Sequence, residues 1–339
     1  MDLKNRKKYA ILDILSNSTE PLSSISITTI LTAQGVDISE RSVRLYLKEF
    51  DAAGYTVNVE RKGRMITAAG SQECQKSRVL ERVGYLSSKI DAMSYKMNFD
   101  LDTCEGTVLA DVSVVPLTEF TVFRRKMFAA VFAKKYAMGK KLALFPPNSM
   151  CMGTVIPSKH VGIVTICSIT FNGILRSLGI PVFSRFGGLL EIRDDKPMRF
   201  TELTNYDSTS IDPLAVFIRA GMADYLGAIN KGHGLIGASM REFPAESVSV
   251  VREITGRLVE LGLGNFICIG NPGQSIFDFQ ISPESAGAIV IGGLNPISVF
   301  IETGLMVTSV TVAGAIPYRD LFPYTQLNER LDQISRIHL

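Results

Sequence analysis

Three cations recur at helical spacing in the stretch Ile38–Phe50, ISERSVRLYLKEF, where Arg41, Arg44 and Lys48 stand at i, i+3 and i+7. On a helix they share one face, with Leu45 among them and Ser42 beside it. Such a face can meet phosphates through its cations and base edges through Ser42 and Leu45. Val43, Tyr46, Leu47 and Phe50 form the opposite, apolar face and predict burial. Ser39 suits the N-cap and Gly54 ends the run. A second basic group, Arg61, Lys62 and Arg64, sits at the Gly63 turn between the short strands 55–60 and 65–67. A basic helix face or a charged turn is, by itself, often just solvated surface. One following the other directly reads as the recognition helix and wing of a DNA-binding winged helix.

A different chemistry is offered by two turns that each lead from an apolar strand into a helix, CSITFNG at 167–173 and GGLNP at 292–296. Helix N-terminal amides there would face an anion, with Ser168, Thr170, Asn172 and Asn295 as uncharged hydrogen-bonding groups. Arg176, and Arg185 ahead of Gly187 and Gly188, could pair with a carboxylate. The plainer explanation is that polar turn residues cap helices and the glycines serve tight turns. Catalysis and metal binding have little support. His160, His233 and His338 lack ligand spacing, and no nucleophile, metalloprotease or nucleotide-loop motif is present.

Elements must position these groups. Residues 3–16 and 24–34 read as the first two helices of a helix-turn-helix unit, Gly35 ends the second, and a long helix at 72–97 follows the wing as spacer or dimer seam. Beyond it the chain is duplicated. A shift of 125 residues lays 119–182 over 244–307, matching Gly139 to Gly264, Pro147 to Pro272, Gly162 to Gly287 and Gly179 to Gly304. Upstream, GTVLADVSVVP at 106–116 matches GLIGASMREFP at 234–244 with an offset of 128. Each half reads strand, helix, two strands, helix, strand. The expected class is α+β: a winged helix-turn-helix domain at 1–70, a linker helix at 71–104, and a duplicated βαββαβ, ferredoxin-like region at 105–192 and 233–320. A connecting segment at 193–232 and a tail at 321–339 complete the chain.

Bulk properties limit the function classes. With 339 residues, 46% hydrophobic and 20% charged, the chain can build two or three cored domains. Its net charge of +3 excludes a wholesale nucleic-acid coat and leaves only a local patch. Five scattered cysteines without a CxxC pair point to a reducing cytoplasm. No segment reaches the ~18 apolar residues of a membrane span.

The segment RVGYLSSKIDAMSYKMNFDLDTCEGTV at 82–108, with KHVGIVTICSITFNGIL and FSRFGGLLEI, resembles the archaeal nitrogen regulatory repressor family, NrpR, over nearly the whole chain. The resemblance implies a dimeric repressor on palindromic operators of nitrogen-fixation and glutamine-synthetase genes, released by 2-oxoglutarate bound in the C-terminal region. It also implies that a paralogue lacking the DNA-binding domain can be a partner. It carries no effector residues over, so Ser168, Thr170, Asn172, Arg176, Arg185, Gly187, Gly188 and Asn295 rest on their chemistry alone. No cofactor is expected. The competing expectations are a small-acid metabolic enzyme with an autoregulatory winged helix and a scaffold contacting other transcription proteins.

Overall fold

The computed structural model describes residues 3–16, 18, 20–33, 36, 38–60, 62–77 and 85–338. Two compact units divide the chain, 1–83 and 84–339.

The first unit contains α1 (Leu3–Ser16), α2 (Ser24–Ala33), α3 (Glu40–Ala52), β1 (Thr56–Val59), β2 (Gly63–Ile66) and α4 (Ala68–Ser77). Apolar residues at helical spacing close its core: Ile11, Leu12 and Leu15 of α1, Ile27 and Leu31 of α2, and Val43 and Leu47 of α3. The β1–β2 hairpin is antiparallel, and Leu22 bridges Arg64 as a third rung. That rung explains Gly63. Its φ is 123°, and a Cβ there would lie 2.3 Å from the Leu22 carbonyl oxygen, so both torsion and space require glycine.

The expected helix 72–97 runs through residues 78–84, which, like Gly35, lie outside the described residues. To either side of them, α4 starts at Ala68 and belongs to the first unit, and α5 (Tyr85–Lys96) belongs to the second. Leu86, Ile90 and Met97 are buried.

After α5 the second unit runs β3 (Thr107–Pro116), α6 (Val122–Ala133), β4 (Lys141–Phe145), the small hairpin β5 (Met150–Cys151) and β6 (Thr154–Val155), β7 (His160–Ile166), α7 (Ile169–Ser177) and β8 (Phe183–Arg193). Then come β9 (Lys196–Asn205), α8 (Pro213–Arg219) and α9 (Tyr225–Lys231). The second half follows as β10 (Gly234–Pro244), α10 (Val248–Leu261), β11 (Phe266–Ile269), β12 (Ser285–Ile291), α11 (Ser298–Glu302) and β13 (Thr308–Pro317), and the chain closes with β14 (Phe322–Pro323) and α12 (Leu327–His338).

Two five-stranded antiparallel sheets result, ordered β13-β3-β7-β4-β14 and β11-β12-β10-β8-β9. Each half keeps its first three strands and gives its fourth away: β8 pairs with β10 of the second half, and β13 pairs with β3 of the first. The repeat leads one to expect two βαββαβ units side by side, and a strand exchange between them is not visible in it. Duplicated sheets offer equivalent edges, so a reciprocal exchange satisfies the same backbone groups while tying the halves together. Both faces of the sheets are buried, which accounts for the near-continuous apolar strands. Val161 and Ile163 of β7 enter one core cluster, and Val164 and Ile166 enter the other.

The connecting segment 193–232 holds β9, an edge strand, and two helices, α8 and α9, separated at Gly221 with φ 68°. The tail holds β14 and α12. Leu327 and Leu331 of α12 are buried, and β14 pairs with β4.

Candidate functional site

On α3 the sequence pattern translates directly into geometry. Ser39 accepts the Ser42 amide as N-cap, Val43, Tyr46, Leu47 and Phe50 are buried, and Arg41, Leu45 and Lys48 are exposed. Ser42 is half-buried beside them. Arg44 is exposed but not free, since Glu40 Oε1 accepts from its Nη2 at 2.7 Å and its Nε at 3.0 Å. The same oxygen takes the Ser24 hydroxyl at 2.8 Å, and these bonds hold the Glu40 carboxyl below its usual range.

Lys62 is exposed at the turn, and Arg61 lies outside the described residues. Arg64 is not at the wing tip. It sits inside β2, and its Nε donates to Asp51 Oδ2 at 2.8 Å, tying the wing to the last turn of α3. Asp51 stands 13 residues away along the chain, so the contact is set by how β2 packs against the end of α3.

In the second unit the two turns singled out by sequence converge on one buried chamber under α5. Cys167 and Ser168 from the first turn and Gly293 from the second line it, together with Asp111, Tyr206, Asp212, Val312 and the α5 residues Leu86 and Ile90. Its closed volume is about 10 Å³, room for about one water. The duplicated sequence produces duplicated anchoring. Thr170 Oγ1 bonds the backbone of Leu109, and its counterpart Asn295 bonds the carbonyl of Gly237, the residue equivalent to Leu109. Thr170 and Asn295 are thus committed to structure, whereas Ser168 and Asn172 face the chamber's charged neighbour.

That neighbour is Arg241, which is fully buried. Its Nε donates to Asn172 Oδ1 at 2.8 Å, its Nη2 to Ser168 Oγ at 3.1 Å and its Nη1 to the Met240 carbonyl at 3.2 Å. Among the described residues no carboxylate makes a direct ion pair with it. Burial depresses its pKa, opposed by Tyr206, Cys167 and Asp212. Two carboxyls lie nearby. Burial, then repulsion from Asp212, pushes Asp111 up to about 7, and burial pushes Asp212 up to about 6.

Arg176 and Arg185 come together in a small cleft of about 70 Å³ beside the chamber, lined also by Ser87, Asp91, Ser184 and Asp207. Arg176 pairs with Asp91 of α5 while its Nε is buried without a partner. Arg185 pairs with Glu242 at 2.6 Å. Gly187 and Gly188 stand where neighbouring groups approach closely. A Cβ on Gly187 would meet the Tyr206 hydroxyl at 2.8 Å, and one on Gly188 would meet the Glu202 carbonyl oxygen at 2.0 Å. They are glycines because neighbours approach closely.

Asp111, Tyr206, Asp212 and Arg241 are the residues that sequence reasoning missed. A signal existed. Asp111 is a lone charge inside the otherwise apolar first strand TVLADVSVVP, and Arg241 stands with Glu242 as the only charges in its counterpart GLIGASMREFP. Among the described residues no group of three or more His, Cys, Asp or Glu side chains is placed to hold a metal ion, and no helix is long and apolar enough to cross a membrane.

Residues 83–322 match the family model of NrpR regulatory domains NRD1 and 2, and residues 9–74 match that of the ribonuclease R winged-helix domain. A global nitrogen regulator NrpRI of Methanosarcina mazei is 30% identical, covering 93% of this chain and 97% of the relative. The global nitrogen regulator NrpR of Methanocaldococcus jannaschii is 31% identical over 94% of this chain, and that of Methanococcus maripaludis is 29% identical over 92%. The chain spans about half the length of these last two, 55% and 53%. A crystal structure of a nitrogen repressor-like protein from Methanococcus jannaschii aligns with a TM-score of 0.56 at 22% identity, covering 70% of this chain and 97% of that one, a likeness of fold.

Proposed function

The chain belongs to the NrpR regulatory-domain family, and from that premise we propose that it is a nitrogen-responsive transcriptional repressor. The observation that carries this reading is the exposed Arg41, Leu45 and Lys48 face of α3, on a helix that follows a helix-turn-helix link and precedes a wing. Two such units in a homodimer would meet the two halves of a palindromic operator, and a paralogue of the regulatory region is a further partner. Target genes of nitrogen fixation and glutamine synthesis follow from the same family reading, as does action within the cytoplasm.

The second unit is the sensor in this proposal, with 2-oxoglutarate as effector. A dicarboxylate needs cationic donors in a sheltered site. Arg241, buried without a direct carboxylate, and the Arg176–Arg185 cleft supply them on either side of Ser184, which accepts from Asn172 at 3.1 Å. Both places lie under α5. That helix is held by Lys89 to the Thr311 carbonyl, by Ser87 to Asp207 and by Asp91 to Arg176. An effector carboxylate competing with Asp91 for Arg176 would loosen α5, so the effector binds the loosened state better and shifts the population toward it. A coupling of ~1–3 kcal/mol is typical for such linkage.

Gel-shift titration of the protein on its own gene's promoter and on nitrogen-assimilation promoters, with and without 2-oxoglutarate, tests the whole reading. Sequence-specific binding that weakens at least about fivefold with effector is expected. Unchanged affinity in saturating 2-oxoglutarate would overturn the effector, and loss of binding by Arg41→Ala with Lys48→Ala is required if α3 reads DNA.

A further inference from the structure

The internal duplication exposes an asymmetry in how the two halves are covered. In the first half Arg125, Phe128, Ala129 and Phe132 form one face of α6, and that face is covered. Arg125 pairs with Asp332 of α12 at 2.5 Å, Phe132 stacks on Tyr324 at 5.1 Å between ring centroids, and Leu327 and Leu331 are buried in the same cluster, as are Tyr225 and Ala228 of α9. A shift of 125 residues maps those four positions onto Val250, Glu253, Ile254 and Arg257 of α10. Here the same face lines an open groove of about 450 Å³. Leu178 at the end of α7 is 53% exposed beside it, and Val250 is 45% exposed.

The groove is chemically sided. Its floor is Phe99, Leu101, Leu178, Val250 and Ile254, and its rim carries Asp100, Asp102 and Glu253 against the single cation Arg257. Arg257 is already held by Asp102 at 2.9 Å and by the Leu101 carbonyl at 2.6 Å. The amides of Thr103 and Asp102 keep the Asp100 carboxyl below its usual range, so the rim stays charged near neutral pH. On a chain whose net charge is +3, this is a local inversion of sign.

We propose that the α10 groove docks an amphipathic helix with basic flanks from a partner protein, in the place that corresponds to the helices over α6. The apolar stripe of such a helix would cover Leu178 and Val250, as α12 covers α6, and its cations would meet Asp100 and Glu253. The inference stands apart from DNA binding and from the effector, because it rests on the groove and on the duplicated pattern alone.

Fluorescence anisotropy with the full chain tests it, using a labelled Leu/Lys amphipathic helical peptide and a Leu/Glu peptide with the same apolar stripe. The Leu/Lys peptide is expected to bind at least tenfold more tightly. Leu178→Asp with Val250→Asp should weaken it at least tenfold, and Glu253→Lys, on an exposed position that leaves the fold alone, should weaken it at least threefold. Val216→Asp, on the exposed face of α8, should change nothing. Equal binding of the two peptides overturns the proposal, and so does unchanged binding by Glu253→Lys. Concentration-dependent self-association that the groove substitutions abolish would also overturn it, by assigning the groove to a second copy.

Discussion

A single carboxylate decides how much of the cationic α3 face is open to the DNA contact proposed for it. Glu40 stands at the first helical position, where the helix dipole favours an anion, and it neutralises Arg44, one of the three cations of the pattern. The pair is solvent-exposed, so water and salt screen it and it adds little to the fold. In the proposed DNA complex its cost is larger than its contribution to the fold, because a phosphate approaching Arg44 would meet the Glu40 carboxylate. Glu40→Gln is therefore expected to tighten operator binding about threefold to tenfold while leaving the urea midpoint nearly unchanged. Filter binding and urea denaturation of the same preparation measure both. Weaker binding by the variant would mean that Glu40 contacts a base instead, cytosine being the acceptor-seeking candidate.

Between elements, the most informative contact is the one Asp111 of β3 makes with the β13 bulge. Val312 has a φ of 46°, a strained value for a β-branched residue, and its amide donates to Asp111 Oδ1 at 2.8 Å. Burial holds the Asp111 carboxyl at about 7, above its ordinary 3.8. A pKa raised in the folded state means that the native protein binds the proton more tightly than the unfolded chain. The stability from this group is present below pH 3.8 and is lost as pH rises through about 7. Asp111→Asn keeps an acceptor for Val312 and does not titrate. Its urea midpoint should rise relative to the original protein as pH moves from 4 to 8, while Asp212, raised to about 6, makes both proteins lose some stability over that range. Parallel midpoints across that range would show that Asp111 is ionised throughout.

For the whole second unit, the exchanged fourth strands make the two halves one folding unit. β8 pairs with β10 and β9, while β13 pairs with β3 on an edge of the other sheet. The halves are also cross-tied at equivalent positions, with the Lys140 amide donating to the Gly262 carbonyl at 2.8 Å and Asn265 Nδ2 to the Ala137 carbonyl at 2.7 Å. A fragment ending at residue 232 loses the strand that covers β3, and one beginning at 233 loses the strand that covers β10. Each alone should be unfolded or aggregated, since it exposes a long apolar strand edge. Co-expressed, fragments 84–232 and 233–339 should form a 1:1 complex with cooperative melting. A well-folded monomer of either fragment, judged by NMR dispersion, would contradict the exchange.

Much of this protein was legible in its sequence because periodicity reports what a segment buries. The α3 faces, the N-cap Ser39, the hairpin after it and the order of elements in each half follow from apolar spacing and turn residues, which act within a few residues of chain. The tertiary structure alone decided where the fourth strands go, because two equivalent sheet edges cannot be told apart by a repeated pattern. It alone placed Arg64 on Asp51 and closed Gly187 and Gly188 against Tyr206 and Glu202, contacts between residues distant along the chain or across a strand pair. It also assembled Arg241, Asn172, Ser168, Asp111 and Asp212 from separate segments into one buried polar group. Asp111 and the Arg241–Glu242 pair, charges set in apolar strands, were visible in the sequence. What they face depends on which strands and helices meet, and that is set by the packing of the whole unit.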